Sequence, residues 1–193
     1  MAEGFTRTTA GYVAVFEPEE VQLLTKLFED VALTLEPEAA QHEDEFARLL
    51  GIKADAAAPT DAAVLRMLPV ASDDPEVADE FRKFTELGLR EQKMRALTQA
   101  SMDVHSGRVV LNQEKARVWA GALNDVRLTL GTRLNLKTDE DSARLEKLYS
   151  DPESVEDIEG YMALLYNFTT WLQETLMSSM LESLDLAEND ANR

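Results

Sequence analysis

Apolar residues at Val21, Leu24, Phe28, Val31 and Leu35 recur at spacings of 3, 4, 3 and 4, which places them on one face of a helix. Pro18 stands where a first helical turn would begin, and Glu17, Glu19 and Glu20 complement the N-terminal dipole of that helix. The same period returns at Ala116, Trp119, Leu123, Val126 and Leu130, behind Asn112 as N-cap. Before the first helix, the β-favouring runs Phe5 to Arg7 and Tyr12 to Phe16 flank Thr8-Thr9-Ala10-Gly11, which predicts a short hairpin.

Other start and stop signals divide the rest of the chain. A second helix is expected over about Glu38 to Leu50, ending at Gly51, with residues 53–59 (KADAAAP) as a loop. Thr60 can cap a short helix through Met67 that ends near Pro69. Asp74-Pro75-Glu76 starts a helix towards Val104, weakest at Thr85 to Gly88, and His105-Ser106-Gly107 turns the chain into a strand at Arg108 to Leu111. Lys137 to Asp141 is a polar break before a helix at Ser142 to Tyr149. Asp151-Pro152-Glu153 then opens the last long helix, whose tail, residues 185–193, is expected to fray. The expected fold is a mainly α, single-domain helical bundle of about six or seven helices spanning 1–193, with a minor β element in which Tyr12 to Phe16 pairs with Arg108 to Leu111.

Charge adds a segregation that the apolar pattern does not show. Ten of the 19 Lys and Arg residues fall between Arg82 and Arg133 against five acids, so this stretch carries +5 in a chain whose net charge is −18. Such a segment points to a contact surface, since summed charge steers encounters and repels like-charged molecules. Overall acidity argues against non-specific coating of DNA or anionic lipid. The sequence has no cysteine, which excludes disulfides, thiolate catalysis and Cys-based metal sites. The opening MAEGFTRTTAG lacks the regions of a signal peptide and no run of 18 uncharged apolar residues exists, so a cytoplasmic protein without membrane contact is expected.

Within the basic segment, Glu80 to Gln99 (EFRKFTELGLREQKMRALTQ) reads in two ways. With a turn at Gly88 it is a helix-turn-helix in which Leu87, Leu89, Met94 and Leu97 pack, and Arg90, Gln92, Lys93, Arg95 and Gln99 face phosphates and base edges. Lys83 and Phe84 fit that motif poorly. Without a turn the stretch is one long helix that tolerates Gly88 at about 1 kcal/mol. Farther on, Arg117, Arg127 and Arg133 lie at about 0°, 280° and 160° around a helix, so they form no single stripe and read first as salt-bridge partners, second as a ligand patch. Asn124 and Asp125 interrupt the apolar face and suggest local bonding within the fold.

Gly160 to Leu181 carries one charge, Glu174, in 22 positions. A helix apolar on most sides is buried on most sides, in the core or between two copies, and Tyr161, Leu165, Phe168 and Leu172 form the stripe a homodimer would use. His42-Glu43-Asp44-Glu45 concentrates metal-ligand types that point apart on a helix. Asp103 to Glu114 lacks the central acids and the glycine of a calcium loop. No catalytic, metal or cofactor motif is present, and a non-enzymatic protein is expected.

The segments LRMLPVASDDPEVADEFRKFTELGLR and VVLNQEKARVWAGALNDVRLTLGTRLNL, with the opening hairpin and first helix, resemble an actinobacterial family known as a domain of unknown function and encoded beside the ClpS protease adaptor. The likeness covers nearly the whole chain, and its second segment is the most specific. The family includes oxidative-stress transcriptional regulators of the AosR type. The resemblance implies a stress-response transcriptional regulator with an RNA polymerase sigma factor or another transcription protein as partner, and the +5 segment is the surface expected to touch that partner or DNA. The ClpS neighbourhood implies the alternative, an adaptor or accessory protein of Clp-type proteolysis. Redox sensing in the family is ascribed to cysteines near the N-terminus, and this chain has Phe5 and Tyr12 in that region and no thiol.

Overall fold

A computed structural model describes residues 3–36, 59–138, 141, 145 and 158–191, with side chains through 182. The hairpin forms as its sequence predicts: β1 (Glu3–Thr8) turns into β2 (Gly11–Val15) with Thr8 opposite Gly11. Gly11 has φ +121°, and a Cβ there would run into the Leu111 carbonyl, so only glycine fits the turn. β2 also pairs antiparallel with β3 (Arg108–Leu111), Tyr12 opposite Leu111 and Val15 opposite Arg108. The result is a three-stranded sheet in the order β1-β2-β3.

Five helices occur among the described residues. α1 (Pro18–Thr34) opens on Pro18 behind a Glu17/Glu20 capping box. α2 (Ala62–Met67) is capped by Asp61, whose Oδ1 accepts from the amides of Ala63 and Val64, rather than by Thr60. α3 (Pro75–Val104) begins where Asp74 accepts from the Glu76 amide. α4 (Gln113–Arg133) begins where Asn112 accepts from the Lys115 amide. α5 spans Ile158–Ala191. The helices expected over 38–50 and 142–149, the Asp151 start signal, and the 53–59 loop short of Pro59 lie outside the described residues, residue 145 excepted.

Trp119 on α4 organises the centre. Its ring meets Phe5 of β1 and Phe28 of α1 edge-on, each at 5.5 Å between centroids, contacts worth about 0.5–1.5 kcal/mol apiece beyond area burial. Its Nε1 donates to Asp103 Oδ2 at 3.1 Å, so the buried indole has a partner for its polar atom. The predicted α4 face, Ala116 to Leu130, is buried throughout, as is the α1 face apart from the half-buried Val21. The sheet is fastened to α5 by Phe5, whose amide donates to Thr175 Oγ1 at 3.1 Å and whose carbonyl accepts from Ser179 Oγ at 2.9 Å. One continuous core draws side chains from every described strand and helix.

Candidate functional site

α3 is one continuous helix from Pro75 to Val104, which rules out the helix-turn-helix reading of Glu80 to Gln99. Gly88 sits mid-helix facing solvent, Leu89 is exposed and Leu87 half-buried, so the four residues expected to pack two helices together do not share a seam. Arg90 also leaves the predicted binding face. Its side chain is buried, its Nε donates to Glu86 Oε1 at 2.8 Å, and its Nη1 donates to the Leu35 carbonyl at 2.9 Å. The last carbonyls of a helix lack intrahelical donors, and Arg90 supplies one to α1 from a neighbouring helix. Charge reversal there would damage the fold, so Arg90 belongs to the scaffold.

The remaining α3 residues step along one stripe: Gln92, Arg95, Ala96 and Gln99 at helical spacing. On α4, Arg117, Val118, Gly121 and Asp125 form a matching stripe. The two stripes and Leu89 line an open groove of about 610 Å³ between α3 and α4. Lys93 crosses it to donate to Asp125 Oδ1 at 2.7 Å. Arg95 lies 3.8 Å from Glu91 with both side chains mostly in water, a pair of little energetic weight. Arg117 is exposed and makes no ion pair among the described residues. The groove therefore has an apolar floor and a rim of three cations against one acid.

Gly121 shapes this floor. A Cβ at that position would meet nothing within 4 Å, so the groove is widened there by a missing side chain and not by a steric demand of the backbone. Asp125 at the side of the floor is almost completely buried. Burial pushes its carboxyl above the usual carboxylate range, while the Lys93 hydrogen bond and charge pull it part of the way back. Asp125 thus bonds across the helix seam to a residue 32 positions away, not to a local partner.

Four of the seven predicted contact residues, Gln92, Lys93, Arg95 and Arg117, come together in the groove. Arg127 and Arg133 do not. Arg127 donates to Thr170 Oγ1 at 2.9 Å and Gln173 Oε1 at 2.6 Å and lies over the Tyr166 ring, while Arg133 is exposed in the last turn of α4, where it complements the helix dipole. None of Arg117, Arg127 and Arg133 forms the expected salt bridge among the described residues. The stripe Tyr161, Leu165, Phe168 and Leu172 does not make one surface either. Leu165 and Leu172 are buried inside the chain's own core, Phe168 is half-buried and Tyr161 exposed.

Sequence reasoning missed the groove floor, although the spacing of Arg117, Gly121 and Asp125 by four residues carries the signal. Asp103, an end of the rejected calcium loop, is occupied by Lys115, Trp119 and Gln99, and no group of three metal-ligating side chains occurs among the described residues. The His42 to Glu45 run lies outside them. No helix among the described residues is long and apolar enough to cross a membrane.

The model of a domain of unknown function, DUF2017, matches residues 2–180. The chain belongs to the DUF2017 family. It is also 28% identical over 149 residues to oxidative stress regulators named AosR from Mycobacterium bovis and from two strains of Mycobacterium tuberculosis, with 68% of this chain and 68% of each relative covered. The chain matches no solved structure. This DUF2017 member has none of the cysteines that a thiol-based sensor would need.

Proposed function

We propose that this protein is a non-enzymatic transcriptional regulator of stress responses that acts by gripping an acidic amphipathic helix of a transcription protein in the α3–α4 groove. The observation that carries this reading is the groove's composition: an apolar floor of Leu89, Ala96, Val118 and Gly121 beneath Lys93, Arg95 and Arg117, in a chain of net charge −18. Helix-in-groove recognition needs an apolar trough for the anchors and a rim of charge opposite to the partner's polar face. The similarity to oxidative stress regulators supports the regulatory setting, and a sigma factor or another polymerase-associated protein is the partner class that fits it. Loss of the helix-turn-helix leaves duplex DNA without a reading element in α3, which favours protein over DNA as the contact. The Clp-adaptor alternative has no structural observation in its favour.

Photo-crosslinking from position 118 or 89 in living cells, with the crosslinked peptides identified by mass spectrometry, tests the reading. An acidic helical segment of a transcription protein is expected, and Arg95→Glu combined with Arg117→Glu should remove the product. Crosslinks to Clp components alone, or crosslinks that survive the double reversal, would reject it.

A further inference from the structure

A second cavity opens on another side of α4, and its charge is distributed unlike that of the rest of the chain. Arg66 of α2, Arg127 of α4 and Lys137 line an open pocket of about 300 Å³ together with Asn124, Gly131 and Tyr166. No carboxylate occurs among its described lining residues, and none of the three cations is ion-paired among the described residues. Neutral acceptors hold the guanidinium groups in place instead. Arg66 Nη1 donates to the Leu136 carbonyl at 3.1 Å, and Arg127 donates to Thr170 and Gln173 while stacking over Tyr166, its Cζ 5.6 Å from the ring centroid. Neither arrangement neutralises charge, because a carbonyl, a hydroxyl, an amide oxygen and a ring carry no formal negative charge. Asp141 lies at the pocket's edge, where its Oδ2 accepts from the Lys137 and Thr138 amides at 2.9 and 3.0 Å, so among the described residues one carboxylate stands near three cations that make no ion pair, an excess of positive charge that suits an anionic ligand.

The backbone keeps the pocket open. A Cβ on Gly131 would lie 3.4 Å from Tyr166 Cε2 and 3.8 Å from Arg66 Nη1, so any longer side chain would project into the space that these two residues border. Guanidinium groups match the oxygens of a phosphoryl group, with Lys as an additional point charge, and the volume exceeds what a bare anion fills. We propose that this pocket binds the phosphoryl group of a small phosphate ester. The proposal stands independently of the groove and its partner.

Amide-resolved NMR titration of the full chain with glycerol 3-phosphate and, separately, with inorganic phosphate at constant ionic strength tests it. Saturable shifts centred on Gly131, Lys137 and Thr138 are expected. The ester binding more tightly than inorganic phosphate would show that the organic part is read, whereas equal binding would assign the site to free phosphate. Lys137→Gln alone should weaken binding, and Arg66→Gln with Lys137→Gln should weaken it roughly tenfold or more, while Arg95→Glu in the groove leaves it unchanged. No saturation by either probe at millimolar concentration, or equal binding by the double variant, would overturn the proposal.

Discussion

Lys93 Nζ donates to Asp125 Oδ1 at 2.7 Å, tying α3 to α4 across the bed of the groove. The carboxylate is buried and the ammonium is one-quarter exposed, so the pair is asymmetric: Asp125 depends on Lys93, whereas Lys93 can reach water. This contact both bridges the two helices and removes one cation from the groove's field.

Asp125→Asn should separate those two effects. Burial holds the native carboxyl above its ordinary value of 3.8, so between that value and the raised native one the native state binds more protons than the unfolded state. Stability of the native protein therefore falls as pH rises through this window, and the Asn variant lacks that component. Urea unfolding across an acidic pH series should show the variant gaining on the parent as pH rises. A constant difference between the two would mean that Asp125 titrates at its ordinary value.

Arg90→Ala should be among the most costly single changes in α3. It strips the buried Glu86 carboxylate of its 2.8 Å donor and removes the donor from the Leu35 carbonyl at the end of α1, with Arg82 remaining 3.8 Å from the other Glu86 oxygen. Losing one partner of a buried ion pair costs about 3–5 kcal/mol. Chemical denaturation would read this directly, and a loss below about 1 kcal/mol would place the pair among surface bridges.

Arg90 also shows where sequence reading stops. Its helical position was legible from Asp74-Pro75-Glu76, yet nothing local distinguishes a cation that faces solvent from one whose partner, Leu35, lies 55 positions away. The elements with strong local signals came through, the Thr8 to Gly11 hairpin and the Asn112 cap with the Trp119 face, and so did the expected long-range pairing of β2 with β3. Gly88 misled because a glycine that is neutral to packing looks the same in sequence as one required by a turn. The groove's cations were visible in the charge count, but which of them share a surface depends on how α3 crosses α4, and that is set by non-local packing.

Gly88→Ala tests the continuous helix. A Cβ at this position meets nothing within 4 Å, and the residue is exposed in the helix interior. Alanine should stabilise the chain by about 0.5–1 kcal/mol through backbone entropy alone. A rise in the denaturation midpoint without a change in slope is the expected result, and destabilisation would indicate a bend in α3 at Gly88.

Gly121→Leu puts the groove itself to the test. The open space around this position lets a longer side chain enter the groove without displacing core atoms, and replacing a mid-helix glycine favours α4. The variant should thus be at least as stable as the parent while losing its partner, because the leucine occupies the trough that an incoming helix would fill. Charge reversal at Arg95 and Arg117 acts differently: it leaves the trough empty and alters the field, so its effect should shrink at high salt, whereas the leucine block should not. Equal partner affinity for the leucine variant and the parent would move the contact off the α3–α4 groove.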